Sequence, residues 1–209
     1  MNSLELIKFY DKDSYIQSLC SWLSDSKIKQ KALKGLVGGL KYLVPSVLFS
    51  RLNNNFCFVV ENKEVAFSFY YNLKKILHKK NVFLFPSLGY KYYGSEKVEN
   101  SNVVLRGEVL SLIQEREREK KIIITYPEAI FERVVGKTQL SSQTLNLALG
   151  DEISYLELES KLISFGFEQS DFIEEVGQYS IRGQVFDLYS FAYSLPFRIT
   201  FNENKITKI

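Results

Sequence analysis

The sequence has few of the residues that build metal centres and disulfide frameworks. Its 209 residues include one histidine and two cysteines. The histidine, His78, stands beside Lys79 and Lys80, so no His/Cys metal cluster is predicted around it. Cys20 falls on an apolar helical face and Cys57 in an apolar strand, and we expect both to be buried, reduced thiols.

Long apolar runs are also missing. No run reaches the roughly 20 residues that a transmembrane helix needs. The N-terminal residues 1–5 lack the basic segment and following apolar segment of a signal peptide. With 45% hydrophobic and 24% charged residues, the composition is ordinary for a globular protein. These features predict a cytoplasmic protein without a membrane partner.

Charge is distributed unevenly along the chain. Residues 1–130 carry 20 Lys and Arg against 13 Asp and Glu, whereas residues 131–209 carry 7 against 11. This shift favours two domains. The basic half could contact nucleic acid, but its lysines are scattered rather than arranged in a stripe, which favours a solvated surface.

The first part of the chain alternates apolar strands with amphipathic helices. Ser14 is predicted to begin a helix, with Gln17 in the position of a capping box. The predicted strands cover residues 56–60, 82–85 and 121–125, and the helices between them cover residues 64–77 and 103–117. This order predicts an α/β fold with a parallel sheet covered on both faces by helices. We expect three regions: an N-terminal helical segment (1–26), an α/β domain (27–130) and a second domain (131–209).

A glycine-rich stretch precedes one of these helices and has the outline of a phosphate-binding loop. Its relevant residues are Gly35, Gly38, Gly39 and Lys41. Leu40 stands where the glycine before the lysine is required, and its Cβ disfavours close phosphate approach. Tyr42 replaces the small hydroxyl residue that would bind Mg²⁺. We therefore expect a degenerate P-loop without nucleotide or other cofactor, although a nucleotide-binding module stays open as an alternative.

A second alternative is direct DNA binding. Tyr90, Tyr92 and Tyr93 lie in a long loop between two predicted elements. Tyrosines on a loop can stack on nucleic-acid bases, but they can equally pack over the edge of a sheet, and packing is favoured.

The alternation of apolar strands with amphipathic helices stops after Gly136. Residues 143–149 alternate with period two, which predicts a half-buried strand. Ser154 is predicted to cap a helix with Glu157 in its capping box, and Gly166 to end it. Further strands follow, so the second domain is predicted to be a small α+β domain with an antiparallel sheet. The chain stops at Ile209 directly on the last strand, and we expect it to be a fragment of a longer protein.

The candidate site of the second domain is formed by arginines and aromatic residues on its strands. We expect Arg182 and Arg198 to stand on one sheet face, a composition typical of protein-docking surfaces. The plainer interpretation is a pair of antiparallel strands with a bulge at Gly183 and solvated arginines. The full set of candidate partner-binding residues is Arg182, Phe186, Tyr189, Arg198 and Phe201.

Residues 151–209 resemble the second domain of the bacterial transcription-repair coupling factors (Mfd) and, more distantly, that of UvrB. The matching segments are Phe165-Gly166-Phe167, residues 176–183 (Val-Gly-Gln-Tyr-Ser-Ile-Arg-Gly), Asp187-Leu188-Tyr189 and residues 195–199 (Leu-Pro-Phe-Arg-Ile). Ser190 stands where the family usually has proline. The first part of the chain is similar in plan to the first domain of the same proteins, and its broken glycine loop favours the coupling factors over UvrB.

This resemblance implies a function. It implies a non-catalytic module that docks the damage-recognition protein UvrA and so recruits nucleotide excision repair to stalled RNA polymerase. The full-length protein would be an ATP-dependent DNA translocase that contacts DNA and RNA polymerase through parts outside these residues. The family often has an arginine where this chain has Glu168, which changes the docking electrostatics.

Overall fold

A computed structural model describes residues 3–25, 30, 32–78, 81–89, 100–114 and 119–209. The helices in these ranges are α1 (Ser3–Tyr10), α2 (Ser14–Ser24), α3 (Leu40–Arg51), α4 (Lys63–Leu77), α5 (Asn100–Gln114), α6 (Pro127–Phe131), α7 (Lys137–Ser142) and α8 (Tyr155–Ser164). The strands are β1 (Phe56–Val59), β2 (Val82–Leu84), β3 (Ile122–Thr125), β4 (Glu168–Gln169), β5 (Gln178–Arg182), β6 (Val185–Leu188), β7 (Phe197–Asn202) and β8 (Lys205–Lys208).

These elements belong to two compact units. The first unit comprises residues Met1–Pro86 and Glu117–Ile130, and the second comprises Ser87–Arg116 and Phe131–Ile209. The domain boundaries expected from the sequence, after residues 26 and 130, stay predictions. None of the helices described is long and apolar enough to cross a membrane.

The first unit contains a three-stranded parallel sheet in the order β1-β3-β2. Its centre is β3, where Ile122 and Ile124 are fully buried between the two neighbouring strands. The helices α3 and α4 add Val47, Phe49 and Leu73, which are also fully buried. The predicted α/β class with a parallel sheet is confirmed.

Several details of the first unit differ from the sequence prediction. Helix α2 begins at Ser14 as predicted, but its capping residue is Asp13, whose carboxylate accepts hydrogen bonds from the backbone N–H groups of Tyr15 (2.8 Å) and Ile16 (3.2 Å). Cys20 is buried as expected, but Cys57 is exposed. Along β1, exposed residues alternate with half-buried ones, so this strand is not covered on both faces. A continuous apolar run was therefore a poor guide to burial here.

The second unit contains a five-stranded sheet in the order β4-β5-β6-β7-β8. The pairs from β5 to β8 are antiparallel, whereas β4 and β5 are parallel. The predicted antiparallel sheet is thus corrected to a mixed one. Ser154 caps α8 as predicted, accepting a hydrogen bond from the N–H of Glu157 at 3.2 Å. Leu158 and Leu162 of α8 join the core that covers one face of the sheet.

The predicted strand over residues 143–149 is wrong. Residues 144–148 form no strand, and the short helix α7 precedes them. Leu145 and Leu147 nevertheless pack against the core of the unit, which explains the alternating pattern. The alternation therefore reported which side chains are covered and not a hydrogen-bonded ladder.

Helix α5 of the second unit only partly presents the inward face that its apolar spacing predicts, which is Leu105, Val109, Leu112 and Ile113. Val109 is buried as predicted and Leu105 and Leu112 are half-buried, but Ile113 is 62% exposed, while Val104 and Arg106 are buried. Arg106 forms an ion pair with Glu132, with 3.2 Å between Nη1 and Oε2. Apolar spacing assumes that inward residues are hydrophobic, so it does not predict that a buried, ion-paired arginine belongs to the inward face.

A glycine brings α5 close to the segment that follows β6. A Cβ atom placed on Gly107 would overlap the backbone carbonyl oxygen of Phe191 and lie 3.1 Å from the Cα of Ala192. The helix therefore approaches this backbone more closely than any residue with a side chain allows.

Candidate docking site

The five-stranded sheet has one buried face and one open face. The register pairs Ser180 of β5 with Asp187 of β6, and Asp187 with Arg198 of β7. Because successive strand residues point to opposite faces, these three side chains form a row across the sheet. Arg182 lies one step along β5 on the same face. We call this the open face, and define it by Glu168, Gln178, Ser180, Arg182, Val185, Asp187, Arg198 and Thr200. Glu168, Arg182 and Arg198 are exposed, whereas Ser180 is buried and its hydroxyl donates a hydrogen bond to the carbonyl oxygen of Asp171.

Asp187 and Arg198 form a bidentate ion pair at the centre of the open face. Arg198 donates from Nε to Oδ1 at 2.7 Å and from Nη2 to Oδ2 at 2.8 Å. The side chain of Asp187 is 16% exposed and that of Arg198 is 69% exposed. The hydrogen bonds from Arg198 hold the pKa of Asp187 below its usual value, and the same contact raises the pKa of Arg198. The pair keeps a partly buried carboxylate ionised.

Arg182 is exposed and makes a different set of contacts. Its Nη2 donates to the backbone carbonyl oxygen of Asp171 at 2.5 Å. Its guanidinium lies over the ring of Phe172, 4.9 Å from the ring centroid. In the part of the chain that the structure describes, no carboxylate forms an ion pair with Arg182. Its positive charge is therefore exposed to solvent.

The turn beside Arg182 is a tight hairpin. Arg182 pairs directly with Val185, which leaves Gly183 and Gln184 as the two turn residues. Gly183 has a φ of +58°, a value that glycine adopts without steric cost. The register between β5 and β6 is unbroken, so the predicted bulge at Gly183 is wrong; the irregularity of this sheet lies between Thr200 and Phe201.

Two of the aromatic candidates, Phe186 and Phe201, lie on the buried face of the sheet, whereas Tyr189 is opposite Gln178 on the side of the open face. Phe186 and Phe201 are 0% and 1% exposed and belong to the core. There, the ring centroids of Tyr155 and Phe201 are 4.8 Å apart. The side chains of Phe186 and Phe201 are not available to a partner, so they support the sheet instead. Tyr189 is half-buried, and its hydroxyl donates to the carbonyl oxygen of Ser194 at 3.0 Å.

Glu168 lies at the edge of the open face. It belongs to β4, is exposed, and its Cα pairs with that of Gln178 on β5. It therefore places a negative charge on the same face as Arg182 and Arg198.

The glycine-rich loop of the first unit contains turns, and its contacts do not indicate a phosphate-binding site. Gly35 and Gly38 have positive φ values, and Gly39 is the N-cap of α3. The ammonium of Lys41 lies 5.0 Å from the ring centroid of Tyr42. A P-loop follows a strand directly, and residues 30 and 32–39 form none. The degenerate P-loop stays a prediction.

The structure gives little information on the tyrosine loop or on a metal site. Tyr90, Tyr92 and Tyr93 lie outside the described residues. Among the residues that are described, no group of three or more His, Cys, Asp or Glu side chains could hold a metal ion.

Two residues of the open-face region were missed from the sequence. Asp187 could have been found, because period-two alternation places it opposite Phe186 and Leu188 and on the face of Arg198. Phe172 has no such signal, since its contact with Arg182 is made by an irregular segment.

Comparison with known proteins supplies the remaining information on this site. Residues 145–209, which include the whole five-stranded sheet, match the family model "UvrB interaction domain". The transcription-repair-coupling factor of Bacillus subtilis is 26% identical over 184 residues, which cover 87% of this chain. The chain resembles a transcription-repair-coupling factor. This confirms the resemblance that the sequence motifs indicated.

The similarity extends to two further relatives. The transcription-repair-coupling factor of Escherichia coli is 24% identical over 51% of the chain. The UvrABC system protein B of Thermotoga petrophila is 22% identical over 95% of it. The chain spans only 15% of the length of the B. subtilis coupling factor, 9% of the E. coli one and 31% of the UvrABC system protein B. The similarity therefore concerns the UvrB-like region of the coupling factors.

Proposed function

We propose that this chain is the UvrA-docking module of a transcription-repair coupling factor, and that it binds UvrA through the open face. The observation that carries the proposal is the match to a UvrB interaction domain over residues 145–209. This range contains both arginines of the open face and all five strands that position them.

The chemistry of the open face supports a protein partner. Exposed arginines on a rigid sheet are common at the energetic centres of protein interfaces. Arg182 can form charge-assisted hydrogen bonds without first breaking an ion pair within the described residues, and such bonds are stronger than neutral ones. The face needs no ordering of its backbone before binding, because each strand is already fixed in the ladder.

The rest of the proposal concerns the whole protein. In it, docking of UvrA recruits nucleotide excision repair to stalled RNA polymerase, while contacts with DNA and RNA polymerase and an ATP-dependent translocase activity belong to other parts of the full-length chain. The present residues act as a binding module without catalysis or a bound cofactor, and the glycine-rich loop is a degenerate P-loop.

The test is binding of purified UvrA to the wild-type chain, Arg182→Ala and a control. Arg182→Ala should weaken binding about tenfold or more, as loss of an interface hot spot does. The control is Lys161→Ala, which removes a positive charge from α8, whose core side covers the other face of the sheet. It should bind as the wild type does.

Circular dichroism should show the same spectrum for all three proteins, since neither side chain belongs to the core of the unit. The proposal fails if the wild-type chain does not bind UvrA at micromolar concentration. It also fails in its assignment of the open face if Arg182→Ala and Lys161→Ala bind alike.

A further inference from the structure

Phe172, an exposed aromatic residue, lies next to the guanidinium of Arg182 on the open face. Phe172 lies in the segment between β4 and β5 (residues 170–177, the β4–β5 link) and is 68% exposed. Its ring contacts the guanidinium of Arg182, 4.9 Å from the ring centroid. A phenylalanine that is mostly solvated contributes little to the core, so its side chain is available for another contact.

The backbone around Phe172 is held in place on the open face. The Oγ of Ser170 donates to the carbonyl oxygen of Phe172 at 2.7 Å. The carbonyl oxygen of Asp171 accepts hydrogen bonds from Arg182 at 2.5 Å and from the Oγ of Ser180 at 3.3 Å. The ring is therefore presented by an ordered backbone, which lowers the entropy that a binding partner must offset.

The second half of the β4–β5 link is also fixed. The side-chain oxygen of Gln178 accepts hydrogen bonds from the backbone N–H groups of Glu174 at 2.8 Å and Glu175 at 2.9 Å. The link is thus anchored to β5 on both sides of Phe172.

We propose that Phe172 is a second anchor of the docking surface and receives an apolar side chain of UvrA beside an acidic side chain that pairs with Arg182. This inference rests on the proposed function. Cation and ring together form a surface with one charged and one apolar part, and protein interfaces are enriched in both arginine and phenylalanine. The positive charge of Arg182 selects an acidic group, and the adjoining ring selects an apolar one.

Arg198 offers no comparable combination. Its Nε and Nη2 are both engaged by Asp187. The charge of Arg182 and the exposed ring of Phe172 therefore make the β5 side of the open face the more favourable half for an acidic and apolar partner.

The experiment measures UvrA affinity for Phe172→Ala, Phe172→Leu and a matched control. Phe172→Ala should weaken binding about tenfold. Phe172→Leu should retain most of the affinity, since it keeps an apolar side chain. The control is Leu156→Ala on α8, which also truncates an exposed apolar residue (76% exposed) and should leave the affinity unchanged.

A double variant separates direct contact from positioning of Arg182. If Phe172 contacts UvrA, adding Phe172→Ala to Arg182→Ala weakens binding further. If the addition changes nothing, Phe172 acts only through Arg182 and the inference is overturned. Wild-type affinity in Phe172→Ala, with Arg182→Ala still impaired, also overturns the inference but leaves the proposed function standing. Absence of binding by the wild-type chain overturns the proposed function itself.

Discussion

Arg198 and Asp187 are joined across β6 and β7 by two hydrogen bonds of 2.7 and 2.8 Å that run from one guanidinium to one carboxylate. The pair lies on the open face, where Asp187 is mostly covered and Arg198 is mostly solvated. Arg198 therefore neutralises a carboxylate that would otherwise place an uncompensated negative charge in the middle of the docking surface.

The first prediction separates this neutralising effect from direct contact with UvrA. We expect Arg198→Ala to weaken UvrA binding about tenfold, because Asp187 then repels an acidic partner. Adding Asp187→Asn removes that charge and should restore part of the affinity. Titration calorimetry of both variants gives the comparison. A double variant that binds no better than Arg198→Ala would mean that Arg198 itself contacts the partner.

The second prediction concerns pH. The pKa of Asp187 is lowered, mainly by the hydrogen bonds from Arg198, relative to its ordinary value of 3.8. A carboxyl group with a lowered pKa in the folded state contributes stability above its unfolded-state pKa, and this contribution is lost as the pH falls through the folded-state pKa. The wild type should exceed Asp187→Asn in free energy of unfolding at neutral pH.

That difference should shrink once the pH falls below about 4, where the unfolded-state carboxyl begins to take up protons. Urea unfolding of the two proteins at a series of pH values from neutral to acidic measures it. A difference that stays constant over the acidic range would show that the ion pair does not stabilise the fold.

The third prediction uses the close approach of α5 to the segment after β6. Replacing a glycine in a helix with alanine usually stabilises the helix by about 1 kcal/mol. Gly107→Ala should instead destabilise the protein by about 1–3 kcal/mol, because the new Cβ would overlap the carbonyl oxygen of Phe191.

Gly136→Ala is the control for this substitution. An added Cβ at Gly136 meets no atom within 4 Å. Thermal unfolding should therefore show a lower midpoint for Gly107→Ala than for Gly136→Ala. Equal midpoints would mean that α5 can move away from Phe191 without loss of packing.

The fourth prediction concerns the glycine-rich loop. A ligand at a hundred times its dissociation constant stabilises a protein by about 2.7 kcal/mol. We expect no such stabilisation by millimolar ATP with Mg²⁺, because Leu40 and Tyr42 replace the residues that a P-loop needs. Thermal unfolding with and without the nucleotide measures this. A clear rise in the midpoint would favour the nucleotide-binding alternative.

Much of the fold could be predicted from local sequence patterns. The run Ile122-Ile123-Ile124 gave a buried strand, and the spacing of Ser154 and Glu157 gave the start of α8. These features depend on neighbouring residues alone. The segment 143–149 failed because alternation records which side chains are covered, while a strand also needs a partner strand to complete its hydrogen bonds.

The candidate site was predicted less completely than the fold. Arg182 and Arg198 do stand on one face, but Phe186 and Phe201 point to the other. The two-residue turn at Gly183 determines these faces. It pairs Arg182 with Val185, and it pairs Phe186 with Ile181, so Phe186 lies on the opposite face from Arg182. The sequence did not fix the turn length, and a bulge at Gly183 would have changed the register.

The shortness of the β4–β5 link has a consequence for how the sheet can be used. Parallel neighbouring strands are usually joined by a dozen or more residues, often with a helix that covers the sheet. The residues from Ser170 to Gly177 are too few for that, and they lie along β5 instead. The connection therefore covers only the part of the open face at β5, where Ser180 is buried, and leaves Arg198 on β7 exposed. A longer insertion there would compete with any protein that binds this face.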